Sequence, residues 1–312
     1  MSVPVPARSA SLSCSIRLPP GFRENDILAF HKRDPLAVAE RVDGRMLKKG
    51  LAWNGHAACL IIEFHEDCAD AGLAVDGPAG RPEALTAMVR RMLGLNQRIE
   101  DFEQTYRSHP QLGPLIAGQR GLRVPISATP FEALTWAVTG QQISLNAAIS
   151  MRRKLILATG LKHSSGLYCY PEARQLAKLS TQDLRQAGFS QTKAQTLLVL
   201  SRMIQESQLP LDEWMTAAPP VDEMRSRLSR IHGIGPWTIN YTLLRGFGWL
   251  DGSLHGDVAV RRGLQLLLGA SEKITEQQAQ LWLAPFSPWR ALVAAHLWTF
   301  LAQTRVKAGN GA

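Results

Sequence analysis

The sequence predicts an α+β protein, in which a small N-terminal unit of mixed strands and helices precedes an all-helical half. Two patterns carry this prediction. In the first hundred or so residues, short runs alternate apolar with polar residues, whereas beyond Pro125 the alternation ends and apolar residues recur at a 3.6-residue period between short polar breaks. The composition agrees, since 45% hydrophobic and 20% charged residues over 312 positions describe an ordinary globular chain with room for two or three domains.

Pro, Ser and Ala dominate residues 1–10, which read as a mobile arm. Leu12, Cys14, Ile16 and Leu18 alternate with polar neighbours and predict a half-buried strand; residues 57–64 and 73–75 read as strands too. Helices are expected over 26–42 and over 82–95, the latter with Pro82 at its first turn. In the second half the periodicity predicts helices over 131–138, 143–157, 181–187, 192–205, 221–229, 237–245, 258–268, 276–284 and 289–303. No internal repeat interrupts this order.

Lys and Arg number 35 against 26 Asp and Glu, a formal net charge of +9, which favours a polyanionic partner. The excess is uneven: residues 1–125 carry 16 basic and 14 acidic side chains, residues 126–312 carry 19 and 12. The second half is therefore the better candidate for phosphate contact. Four scattered cysteines, Cys14, Cys59, Cys68 and Cys169, form neither a disulfide framework nor a zinc ribbon and suit a reducing cytoplasm. Signal-peptide and membrane-spanning runs are absent from the pattern, so a cytoplasmic location is expected.

The most informative stretch is Leu228-Ser-Arg-Ile-His-Gly-Ile-Gly-Pro-Trp-Thr-Ile-Asn-Tyr241. An apolar helix runs into Gly233-Ile234-Gly235 and a second helix starts at Pro236, whose fixed φ suits a first helical position. Glycines let backbone N–H groups approach another molecule, and the new helix adds partial positive charge at its start; such a turn can hold a phosphate without reading sequence. A plain turn between packed helices accounts for the same residues. Twenty-two positions after Gly235, Asp257 follows Gly256 and opens a helix, where it can cap that helix or pair with Arg261.

The combination of a Gly-rich hairpin with a carboxylate some twenty residues later resembles the helix-hairpin-helix superfamily of DNA glycosylases. Finer motifs resemble the DNA-3-methyladenine glycosylase II type, or AlkA type: Gly233-Ile-Gly-Pro-Trp-Thr-Ile-Asn-Tyr241, Pro130-Phe-Glu-Ala-Leu with Gly140-Gln-Gln-Ile-Ser144, and Pro288-Trp-Arg with His296-Leu-Trp298. The resemblance covers nearly all of the chain after the arm. It implies a small antiparallel-sheet and helix domain over 11–108, then a two-lobed helix-hairpin-helix core over 109–312, with lobes of about 126–250 and 251–312.

By the same resemblance the catalytic carboxylate is Asp257, the aromatic base pocket Trp237, Tyr241 and Trp298, and the wedge that fills the gap left by a flipped base Gln142. DNA contacts fall on Gly233, Ile234, Gly235 and Thr238. A monovalent cation would be held by the main-chain carbonyls of Ser229, Ile231 and Ile234, and no other cofactor is implied. The family commonly has Pro and Asp before the catalytic Asp, where this chain has His255 and Gly256; an aromatic after it and an apolar wedge, found in some members, are here Val258 and Gln142.

The implied activity is removal of alkylated bases, 3-methyladenine and 7-methylguanine among them, from double-stranded DNA by a monomeric, monofunctional glycosylase of base excision repair. A non-catalytic damage-binding protein would keep the hairpin but would not need Asp257. A glycosylase of the same superfamily for oxidised or mismatched bases is the other alternative; the cysteine quartet of the iron-sulfur branch is missing. Trp136 and Trp282, in strongly apolar segments, read as core. His232 and His296 lack ligand spacing, and the pairs Arg152-Arg153 and Arg261-Arg262 read as solvated helix faces that could touch DNA. Thr192-Lys-Ala, after Gly188-Phe-Ser, reads as a helix start that could hold a second phosphate.

Overall fold

The computed structural model describes residues 10–309, so the expected arm lies outside the described residues apart from Ala10, where the first strand begins. The N-terminal unit contains β1 (Ala10–Arg17), α1 (Glu24–His31), β2 (Glu40–Asp43), β3 (Met46–Trp53), β4 (His56–Phe64), β5 (Cys68–Val75) and α2 (Pro82–Met92). The strands form one antiparallel sheet in the order β1-β5-β4-β3-β2. Leu85, Met88, Val89 and Met92 bury one face of α2 against it. The helix expected over 26–42 is cut short. Pro35 disfavours helical backbone at Asp34, and Arg41 and Val42 instead pair with Lys48 and Leu47 across a two-residue turn with Gly44 at φ +53°.

The helical half runs α3 (Ile99–Tyr106), α4 (Leu112–Ala117), α5 (Pro130–Gly140), α6 (Leu145–Thr159), α7 (Ala173–Leu176), α8 (Thr181–Gln186), α9 (Gln191–Gln205), α10 (Leu211–Ala217), α11 (Val221–Ser229), α12 (Pro236–Phe247), α13 (Val258–Leu268), α14 (Glu276–Leu283), a 3-10 turn (Ala284–Phe286) and α15 (Arg290–Gly309). Local chemistry sets many of these limits. The side chains of Thr129, Ser144, Ser190 and Thr275 accept the N–H three residues on and start α5, α6, α9 and α14. Left-handed Gly160, Gly248 and Gly269 end α6, α12 and α13.

Two helical cores meet at a seam made by α5 and α12. Trp136 and Ala137 of α5 and Tyr241 and Leu244 of α12 face a core shared with α13 and α15; Phe131, Leu134 and Val138, with Ile239 and Leu243, face the core of α8 to α11. The two helices can touch because Gly246 offers only hydrogen at the crossing: a Cβ there would lie 3.2 Å from the Pro130 Cα.

A third contact joins the sheet to this core. Lys49 of β3, fully buried, donates to Glu40 and to Glu132 at 2.7 Å each, while Arg152 of α6 binds Glu132 at 2.8 Å and Glu40 at 3.0 Å. His31 completes the cluster at 2.8 Å from Glu40. Burial would raise the Glu40 carboxyl, yet the nearby Arg152, Lys49 and His31 outweigh it and hold it well below the ordinary carboxylate range. Arg152 is thus sequestered, and Arg153 is spent on Asp34 at 2.7 Å; neither belongs to a solvated face.

Candidate active site

Asp257 sits at the start of α13, and its carboxylate accepts four hydrogen bonds. Two come from the first-turn N–H groups of Ala259 and Val260, at 2.8 and 3.0 Å, as expected of an N-cap. Two come from indoles: Trp237 Nε1 donates to Oδ2 at 3.0 Å and Trp298 Nε1 to Oδ1 at 3.2 Å. Three elements therefore fix one carboxylate, namely α12 through Trp237, α13 through its N-terminus and α15 through Trp298. The approach of α13 to α15 depends on Gly263, where a Cβ would meet the Leu297 carbonyl at 2.6 Å.

The loop before Asp257 is anchored although it departs from the family pattern. Leu254 is fully buried, Asn240 of α12 donates to the Ser253 carbonyl at 2.8 Å, and His255 shares a 2.9 Å bond with the Ser253 hydroxyl. Asp251, the other acid nearby, is held by Arg290 at 2.7 Å and by the Ser287 hydroxyl at 2.9 Å.

The three expected aromatic residues do come together. The rings of Trp237 and Tyr241 are 5.2 Å apart and those of Tyr241 and Trp298 6.2 Å. Trp136, expected as core, is buried, but its indole also donates to the Tyr241 hydroxyl at 2.8 Å. Trp282 packs on Phe286, as a core residue would. His296 is buried against Gln119 at 2.8 Å, and no grouping of three or more His, Cys, Asp or Glu among the described residues could hold a metal.

At the hairpin, the two glycines differ. Gly233 has φ +86°, and a Cβ there would fall 2.4 Å from the Thr196 hydroxyl, which donates to the His232 carbonyl. Gly235 is exposed and extended, with no atom within 4 Å of a Cβ, so nothing inside the protein demands glycine there. The side chain of Thr238 is buried and accepts from Gln141 Nε2 at 2.8 Å, so a phosphate contact there would fall to its first-turn backbone. The side chain of Ile234 is likewise buried.

Gln142 projects from the loop between α5 and α6, exposed and at φ +56°. That loop is tied to the hairpin by Gln141, which also donates to the Gly233 carbonyl at 2.9 Å, and to α9 by Lys193, whose ammonium donates to the carbonyls of Thr139 and Gln141 at 2.9 and 2.7 Å. Ile143 and Leu145 extend the exposed surface beside it. Sequence reasoning missed Gln141 and Lys193 as positioning residues, because nothing local links Gln141 to a hairpin about ninety positions away or Lys193 to a loop about fifty positions before it.

Comparison with known proteins agrees with this fold. A family model described as the HhH-GPD superfamily base excision DNA repair protein matches residues 135–286, and one for the AlkA N-terminal domain matches residues 13–129. The chain belongs to the AlkA-type helix-hairpin-helix glycosylases. Among its AlkA-type relatives, a DNA-3-methyladenine glycosylase of Bacillus subtilis is 25% identical over 222 residues, 70% of this chain and 73% of its own. DNA-3-methyladenine glycosylase 2 of Escherichia coli is 30% identical over 189 residues, 60% of this chain and 63% of the relative. The solved 3-methyladenine DNA glycosylase of Archaeoglobus fulgidus shares the AlkA fold, with a TM-score of 0.76 at 20% identity over 93% of this chain and 98% of that one.

Proposed function

We propose that the protein is a monofunctional DNA glycosylase of base excision repair that flips alkylated bases, of the 3-methyladenine and 7-methylguanine type, out of duplex DNA and hydrolyses their N-glycosidic bond. The observation that carries this reading is the Asp257 carboxylate, fixed by two backbone and two indole donors beside the rings of Trp237, Tyr241 and Trp298.

A base inside a duplex is inaccessible, so it must be unstacked and rotated out at a cost of a few kcal/mol, least for damaged pairs. Gly235 and the start of α12 would grip a neighbouring phosphate while Gln142 enters the vacated gap. Alkylation at a ring nitrogen gives the purine a positive charge. As the C1′–N bond breaks, its electron pair leaves with the base and neutralises it, and charge develops on the sugar. Asp257 opposes that charge and orients a water, whose oxygen bonds to C1′ and whose proton is released. The indoles stack on the departing base while their N–H groups hold the carboxylate in place.

Ser229, Ile231 and Ile234 would supply main-chain carbonyls to a monovalent cation. Those of Ser229 and Ile234 accept no backbone hydrogen bond among the described residues, so the oxygens suit such an ion. When bound it would add positive charge next to the phosphate.

The test is incubation with randomly methylated duplex DNA and identification of the free bases released. The intact protein should release methylated purines, whereas Asp257→Asn, which keeps the shape and removes the charge, should still bind DNA and lose on the order of 10²-fold or more in excision. Near-normal excision by this variant would remove Asp257 from its role.

A further inference from the structure

Two guanidinium groups stand against the aromatic cleft without a carboxylate partner among the described residues. Arg33, just after α1, has its Cζ 4.0 Å from the Phe30 ring centroid and 5.0 Å from that of Trp136; Arg245, on α12, has its Cζ 4.8 Å from Phe30 and 5.3 Å from Trp298. Trp136 is the donor to Tyr241 and Trp298 the donor to Asp257, so each arginine is one ring away from the site. Each donates to backbone, Arg33 Nε to the Phe30 carbonyl at 2.7 Å and Arg245 Nη1 to the Pro125 carbonyl at 2.8 Å, and both guanidinium groups also face the Tyr241 hydroxyl. Arg245 Nε is buried with no partner.

Both arginines line an open cavity of about 810 Å³ together with Phe30 and with Trp298, which is the one residue this cavity shares with the group formed by Asp257, Trp237, Tyr241 and Trp298. That size lies within the roughly 300–1,000 Å³ of ordinary small-molecule sites. The other charges on its wall are occupied, Asp26 by Arg23 and Arg123 by Glu100 and two carbonyls. Burial lowers both guanidinium groups, that of Arg245 to about 10.

We propose that Arg33 and Arg245 read the exocyclic group at C6 of a flipped purine and favour a carbonyl oxygen over an amine. A guanidinium only donates hydrogen bonds. A C6 carbonyl accepts from it, whereas a C6 amine would point N–H at N–H and leave buried donors without partners, and sites built this way discriminate strongly. The inference rests on the proposed base-removing activity and adds a preference within it: 7-methylguanine carries the carbonyl and 3-methyladenine the amine. Both are cations, so repulsion by the arginines cancels in the comparison.

The experiment measures both bases released from one sample of methylated duplex. In Arg33→Met and Arg245→Met, the ratio of 7-methylguanine to 3-methyladenine should fall on the order of tenfold relative to the unaltered protein, the size of one lost hydrogen bond to a charged group. A ratio within twofold of the original in either variant that still releases base overturns the proposal. A second measurement needs no variant. Free hypoxanthine and free adenine differ at C6, carbonyl against amine, and at N1, which carries a proton only in hypoxanthine; hypoxanthine should quench the protein's tryptophan fluorescence at a concentration about tenfold lower, and equal or reversed order overturns the proposal as well. Failure of the unaltered protein to release either methylated base would instead sink the proposed activity, and the quenching order would still decide the role of the arginines.

Discussion

At the scale of single residues, the two indoles on Asp257 have separable tasks. A ring can stack on a base, and an N–H can hold a carboxylate; Trp298→Phe keeps the first and removes the second. This variant should bind undamaged duplex as before and lose about tenfold in excision, the worth of one hydrogen bond to a charged group. Excision kinetics on a single-lesion duplex check it, and an unchanged rate would reduce Trp298 to a stacking wall. Water is the nucleophile in the proposed reaction. Trp237 stands at the start of the hairpin's second helix, and no lysine lies between Lys193 and Lys273, so that helix offers no amine for a Schiff base. Lys193 itself is engaged by two carbonyls. Borohydride added during turnover should therefore trap no protein-DNA adduct, and strands should break only after alkali; an adduct mapped to a lysine of this chain would overturn the hydrolytic reading.

At the scale of elements, the hairpin separates internal fit from DNA approach. Gly235→Ala meets no atom of the protein, so the fold should be retained while affinity for all duplexes falls by a similar factor, because phosphate contacts carry no sequence information. Gly233→Ala strains a left-handed backbone and collides with Thr196, so it should lower the thermal midpoint as well. Titrations of damaged and undamaged duplex, with melting curves, compare the two; a Gly235→Ala protein that changes lesion preference at constant affinity for undamaged DNA would contradict this role. Much of the helical half was legible in the sequence, since apolar periodicity with Pro236, Gly233 and Gly269 as punctuation marks α11 to α13 nearly to the residue. The strand β3 was not, because its Lys48-Lys49-Gly50 run breaks the alternation. Lys49 points inward only because Glu40 and Glu132 meet it, and Gly50 is small because the Tyr168 carbonyl passes where a Cβ would lie. Partners 83 and 118 positions away leave no local mark. The Asn54-Gly55 turn, with both residues at positive φ, was the available hairpin signal. The site followed the same rule: Asp257 and its three aromatic neighbours follow from motif order, whereas Arg33 comes from another domain altogether.

At the scale of the whole molecule, stability is tied to acid. Burial lowers His296 from its ordinary 6.5 to about 3 and lowers His31 as well, the latter only partly opposed by Glu40. As pH falls below 6.5 the unfolded chain takes up protons at these imidazoles that the folded chain refuses. Their stabilisation is thus complete above that value and shrinks on acidification, by about 1.4 kcal/mol per pH unit for each group while it remains neutral in the fold. Glu40 and Glu132, both held low, add to the loss below 4.5. The thermal midpoint should therefore be lower at pH 5.5 than at pH 7.5, and equal midpoints would contradict the burial of these rings. The cluster around Lys49 also bears on how such proteins can be recombined. Two acids and two bases are divided between the sheet and helices α5 and α6, so a chimera that joins this sheet to a foreign helical half keeps the Lys49–Glu40 pair but takes from each its partner across the seam, Glu132 from Lys49 and Arg152 from Glu40. Glu40, Lys49, Glu132 and Arg152 must consequently be transplanted as a set, which makes the quartet, more than any linker, the unit in which these two domains can be exchanged.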